Sequence, residues 1–168
     1  MKLVVFSGLP GTGKSTLAEN VARRLGAAWL RVDVVEAAIL KAGLPPSFET
    51  GLAAYIACRD LAADQLRMGR DVVIDAVNGV EPARSMWREL SREFGADRFT
   101  IEVRCSDLVE HRRRVESRVS ATPPLPAPTW PEVAHREFAP WEDPTLVIDN
   151  VGDVADAVER IARFVGSG

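Results

Sequence analysis

Apolar residues along this chain switch repeatedly between two spacings. Leu3-Val4-Val5-Phe6 is an unbroken β-prone run, the mark of a strand covered on both faces, as in a parallel sheet. From Ser15 the spacing changes. Leu17, Val21 and Leu25 recur at helical intervals, and Gly26 stops the helix. The exchange repeats to the C-terminus. Ala28–Val32 reads as a second strand delivering Asp33, and Val34–Ala42 as a short helix stopped by Gly43. Phe48–Met68 reads as a long helix with Leu52, Ile56, Leu61 and Leu66 on its apolar side. Asp71–Asp75 is a third buried strand, and Glu81–Phe94 a helix with Pro82 in its first turn. Phe99–Arg104 is a fourth strand, followed by a helix from near Asp107 to about Ser120 with Ser106 as its N-cap. Prolines 123, 124, 126, 128 and 131 then predict a partly extended, non-helical connection. Thr145–Ile148 is a fifth strand. Asp153–Val165 closes the chain as an amphipathic helix, with Val154, Val158, Ile161 and Val165 on one side.

Strands alternating with helices predict a doubly wound α/β domain with a parallel sheet. Ligands of such sheets bind beyond the carboxyl ends of the strands. The glycine loop after the first strand, Asp33 and Asp75 all fall at such ends. A length of 168 residues suits one domain, 1–168, and shows no internal repeat. With 46% hydrophobic and 27% charged residues, neither disorder nor a membrane protein is indicated. No run approaches the ~20 apolar residues of a membrane span. A net charge of −3 argues against a dedicated nucleic-acid binder. Cys58 and Cys105 lie in apolar stretches without C-x-x-C spacing, so they read as buried, reduced thiols of a cytoplasmic protein.

Gly8 through Ser15 meets the pattern G-x-x-x-x-G-K-[ST], between a predicted strand and a predicted helix. Gly8, Gly11 and Gly13 let the backbone turn its N–H groups around a phosphate, with Thr12 among them. The helix end adds its positive dipole. Lys14 is expected to reach the β- and γ-phosphates of ATP, Ser15 to ligate Mg²⁺, and Thr16 to touch the α-phosphate. Asp33 fits either a general base that takes a hydroxyl proton or the N-cap of the next helix. Asp75 fits either a ligand of Mg²⁺ or its waters, or a strand-terminal turn residue. Asn78 and Arg84 are candidates for substrate contact, against a turn and a solvated helix face.

His111-Arg112-Arg113-Arg114-Val115-Glu116-Ser117-Arg118 is a basic run entering the proline-rich connection. Arg114 and Arg118 share a helix face. The segment 112–136 therefore reads as a lid whose arginines would neutralise a transferred phosphoryl group, with Arg136 a further candidate. His111 and His135 have no metal-like spacing. The stretch Val147–Gly152 leaves the last strand where it would pass beside the adenine.

With these residues in place, the chain resembles the small P-loop kinases grouped around chloramphenicol phosphotransferase, the zeta toxins and the AAA-type predicted kinases. The resemblance rests on Phe6 through Thr16, the strand-terminal Asp33, the segment Val72–Asn78 and the arginine-rich helix before a lid. It implies a five-stranded parallel sheet, ATP·Mg²⁺ as donor and phosphoryl transfer to the hydroxyl of a small molecule: an antibiotic, a sugar or another metabolite. It also implies Asp33 as the base and Arg114 or Arg118 on the lid. Asp75-Ala76-Val77-Asn78 stands where adenylate kinases carry an Asp-Gly-Phe-Pro-Arg type segment, which argues against a nucleoside monophosphate acceptor. The competing reading is a nucleotide-dependent switch that hydrolyses ATP slowly and acts on a macromolecular partner. A partner-binding insertion or an exposed apolar segment would mark it, and the sequence displays neither.

Overall fold

Successive residues of a strand face opposite sides of a sheet, and β1 (Lys2–Ser7) is apolar on both. Leu3 and Val5 enter one buried cluster, while Val4 and Phe6 enter the other. A computed structural model of the chain describes residues 1–117, 124–142 and 145–166. In it β1 is the central strand. It pairs in parallel with β3 (Val72–Asp75) on one side and β4 (Asp97–Arg104) on the other. Beyond them lie β2 (Ala28–Arg31) and β5 (Thr145–Asp149). The order β2-β3-β1-β4-β5, with every pairing parallel, is the expected five-stranded doubly wound sheet.

Helices α1 (Lys14–Leu25) and α7 (Val154–Gly166) cover the face that carries Val4 and Phe6. Helices α3 (Phe48–Arg67) and α4 (Glu81–Phe94) cover the face that carries Leu3 and Val5. α2 (Val32–Lys41) packs along α3. The connection after β1 runs to β2 and the connection after β3 crosses β1 to β4, so the strand order reverses at β1 and opens a crevice at its carboxyl end. The α1 loop, the start of α2 and the end of β3 all meet there.

Four local expectations are corrected. On α3 the buried side is Ala54, Cys58, Ala62 and Leu66, not the bulkier stripe. Leu52 is 42% exposed, Ile56 47% and Leu61 47%. Both stripes recur at helical spacing. The helix lies close against the sheet and α4, so its small residues face inward. Together with Phe48, 80% exposed at the start of α3, Leu52 and Ile56 form the exposed apolar segment that the sequence was not expected to display. Second, β2 ends at Arg31 and Asp33 sits in the first turn of α2; Arg31 holds the N-cap position, so Asp33 is not the cap.

Third, α5 (Leu108–Glu116) is capped by Asp107, whose Oδ1 accepts from the N–H groups of Val109 and Glu110 at 3.0 Å each. Ser106 instead donates through its backbone and hydroxyl to Asp149. Fourth, the proline-rich stretch yields a helix, α6 (Trp130–Ala134). Proline is compatible with a first helical turn, and Thr129 and Glu132 close a capping box around Pro131. No helix among the described residues is long and apolar enough to cross a membrane.

Both cysteines are free and buried. Burial, with the Asp33 charge adding to it, pushes the Cys58 thiol up to about 11. Near neutral pH Cys58 should therefore resist alkylation by iodoacetamide in the folded protein and react once urea unfolds it. Rapid native labelling would show that this side of α3 opens.

Candidate functional site

The loop from Gly8 to Gly13 joins β1 to α1, and its shape is set by donors that arrive from distant elements. Thr12 Oγ1 donates to the Leu9 carbonyl at 2.9 Å. His111 of α5 presents Nε2 to the Pro10 carbonyl at 2.8 Å, which requires the proton on that nitrogen. Asn150, just after β5, donates from Nδ2 to the Thr12 carbonyl at 2.9 Å. Its own N–H is anchored to the Arg104 carbonyl at the end of β4. Three loop carbonyls are thus engaged by fixed partners. The first N–H groups of α1 have no carbonyl within their helix to bond, so the helix start remains an anion site.

Two glycines are required by space as well as by backbone angle. At Gly11, with φ 84°, a Cβ would come within 2.5 Å of Val115 Cγ2. At Gly13, with φ 87°, it would come within 2.2 Å of Asn150 Nδ2. Any side chain there would displace α5 or the β5 loop from the phosphate loop.

Lys14 is buried and borders a cavity of about 690 Å³. Asp33, Glu36, Tyr55, Asp75, Glu132 and Arg136 line the same cavity, together with Leu125–Thr129. The β2–β3 register sets Arg31 beside Asp75. Arg31 Nη2 donates to Asp33 Oδ2 at 2.9 Å, and its Nε lies 3.7 Å from Asp75 Oδ2, an ion pair too long for a hydrogen bond. The Arg31 guanidinium also lies 5.2 Å from the centre of the Trp29 ring. One arginine therefore fixes both carboxylates. Asp33 Oδ1 and Asp75 Oδ2 are buried with no hydrogen-bond partner among the described residues. Buried carboxylate oxygens without a hydrogen bond are costly, so both retain the capacity to accept one from a ligand.

Sequence reasoning thus named Lys14, Asp33 and Asp75, and the fold brings them to one cavity. Ser15 and Thr16 open α1 as expected, Ser15 partly buried and Thr16 exposed. Arg114 is placed elsewhere. It donates to Glu110 at 2.7 Å and to the Asn150 carbonyl at 2.8 Å, beside Gly13 and not lining the cavity. Hydrogen bonds from Arg113 and Arg114 hold the Glu110 carboxyl at about 2. Arg118 lies outside the described residues. Asn78 and Arg84 are structural, not substrate contacts. Asn78 takes a left-handed φ of 51°, donates to the Phe6 carbonyl and accepts from Trp87 Nε1. Arg84 is 2% exposed and bonds the carbonyls of Asn78, Ala139 and Pro140 under the ring of Trp141.

Phe48 faces solvent, while Tyr55 reaches the cavity and its hydroxyl accepts from the Asn78 N–H at 3.2 Å. Arg31 and Glu36 were missed. Glu36 was legible, because it stands one helical turn after Asp33. The roles of His111 and Asn150 were not, since only tertiary packing brings them to the loop.

Fold and site together define a P-loop nucleotide-binding domain. A family model described as AAA domain matches residues 3–131, and the chain belongs to that family. No curated protein sequence matches it. Among solved structures, a provisionally assigned kinase of Chloroflexus aurantiacus superposes with TM-score 0.75 at 21% identity, covering 99% of this chain and 97% of that one. A gluconokinase of Sinorhizobium meliloti gives TM-score 0.71 at 18% identity, covering 99% and 94%. The APS kinase CysC of Mycobacterium tuberculosis, in complex with AMPPNP and APS, gives 0.72 at 20% identity, covering 98% and 97%. At these identities the likeness is one of fold.

His111→Phe should retain the ring's edge contact with Trp130 but leave the Pro10 carbonyl unpaired. Urea unfolding should show a loss of about 1–3 kcal/mol, accompanied by weaker nucleotide binding. Unchanged stability and affinity would remove His111 from the support of the loop.

Proposed function

We propose that the chain is an ATP-dependent phosphotransferase that moves the γ-phosphate of ATP to a hydroxyl of a small molecule. Residues 1–168 act as one kinase domain, and the segment 112–136 is its lid. The observation that carries this reading is the single cavity shared by Lys14 of the phosphate loop and the carboxylates Asp33 and Asp75. The acceptor enters on the side of α2 and Tyr55. Its hydroxyl hydrogen-bonds to Asp33 Oδ1, the oxygen left open while Arg31 holds Oδ2. As the acceptor oxygen bonds to the γ-phosphorus, the proton passes to Asp33 and the bond to the β,γ-bridging oxygen breaks. ADP leaves with the electron pair. Lys14 and the loop amides offset the negative charge on the phosphates.

A hard, oxygen-loving cation suits the donors present, namely the Ser15 hydroxyl and the Asp75 carboxylate, whose buried Oδ2 forms no hydrogen bond among the described residues. Bound there, Mg²⁺ would supply positive charge against the phosphates of the nucleotide. Gly8, Gly11, Thr12, Gly13 and Thr16 are assigned to the nucleotide, and Arg114 and Arg118 to its phosphates when the lid closes. The second reading, a switch with slow ATPase activity, is favoured by one observation, the exposed Phe48, Leu52 and Ile56 of α3. ADP release that ignores every acceptor yet rises with a protein partner would select it.

Lys14→Ala should abolish ATP turnover, and near-normal turnover would refute its phosphate role. Asp33→Asn should keep nucleotide affinity while slowing transfer by about 10²–10⁴-fold. An unchanged rate of transfer in a single-turnover assay would reduce Asp33 to a partner of Arg31.

A further inference from the structure

The charges around the cavity discriminate among acceptors. Among the described residues, Asp33, Glu36, Asp75 and Glu132 face Lys14 and Arg136. Most of these groups are already engaged. Lys14 serves the phosphate side. Arg31 bridges Asp33 and Asp75. The Glu132 carboxylate accepts from the N–H and hydroxyl of Thr129 at 2.7 and 2.8 Å. Glu36 is different. It is half-buried, it lines the cavity, and it forms no hydrogen bond or ion pair among the described residues. Burial raises its pKa, and Asp33 adds to the rise; the Arg136 charge opposes them without cancelling them. The site therefore has an unmet demand for positive charge one turn along α2 from the proposed base. Asp33 Oδ1 and Asp75 Oδ2, buried at the same cavity without a hydrogen bond among the described residues, add to that demand.

We propose that Glu36 is the specificity-determining residue of the acceptor pocket, and that the acceptor is a hydroxyl compound bearing a protonated amine. The inference rests on the phosphotransferase reading above. The ammonium group seats against the Glu36 carboxylate while a hydroxyl of the same molecule faces Asp33. A carboxylate or phosphate at that position would meet Glu36 and Asp33 as like charges, against the exposed Arg136 and an Arg31 already bonded to Asp33. Glu36 supplies binding, not chemistry, so its loss falls on KM more than on kcat.

The test uses the full chain with Mg·ATP and hydroxyl compounds in matched ammonium, neutral and carboxylate forms. Glucosamine, glucose and gluconate make one set, and aminocyclitols with their deaminated and acidic analogues another. Transfer is read as the mass gain of the acceptor, and hydrolysis as ADP formed without it. The ammonium member of a set should exceed its carboxylate member in kcat/KM by about tenfold or more. Glu36→Gln should raise KM for the ammonium member by about tenfold, a larger change than in kcat or in turnover of the neutral member, with the melting temperature unchanged. Preference for the carboxylate member, or equal use of all three, overturns the inference and leaves the kinase reading intact. A Glu36→Gln variant with unaltered KM overturns it as well. ADP formation with no acceptor phosphorylated in any set removes the kinase reading, and this inference with it.

Discussion

A glycine loop binds an anion only while its carbonyl oxygens are kept from competing for the same space. Here that constraint is met by two donors from outside the loop and one within it. His111 holds the Pro10 carbonyl, Asn150 holds the Thr12 carbonyl, and Thr12 holds that of Leu9. The first two donors come from α5 and from the turn after β5, so the cradle is complete only when the second half of the sheet has docked. The positive φ angles of Gly11 and Gly13 let α5 and Asn150 approach this closely. Nucleotide affinity and the integrity of the β4–β5 side of the domain are one property in this protein.

The other half of the site depends on a single cation. Arg31 leaves β2 in register with Asp75 and pairs with Asp33 in the first turn of α2. It keeps two carboxylates close together that would otherwise repel each other, and it leaves one buried oxygen of each without a hydrogen bond among the described residues. The arrangement is costly to the free protein and useful to a ligand. Under the proposed function it concentrates unsatisfied acceptors where the acceptor hydroxyl and a divalent cation would sit. Glu36 extends the same logic toward the acceptor.

Much of this was legible in the sequence because the signals were local. The uninterrupted apolar strands marked a sheet with two covered faces, and Gly8 through Ser15 marked the phosphate loop. What was not legible shares a physical cause. On α3, bulky and small residues recur at the same spacing, and only contact with the sheet and α4 decides that Ala54, Cys58 and Ala62 face inward. Arg84 reads as a solvated cation until the segment from Phe138 to Trp141 folds over it. Helix α6 was the exception. Thr129 and Glu132 announce its capping box, but the surrounding prolines outweighed that signal.

The central claim is that this loop, its lysine and the end of α1 grip a triphosphate. Isothermal calorimetry of the full chain with AMPPNP and magnesium tests it without reference to any acceptor. The account predicts saturable uptake of one nucleotide per chain, competed by ATP and lost when a side chain is introduced at Gly13. Absence of any binding heat with AMPPNP or with GTP analogues, from protein shown to be folded, would contradict it.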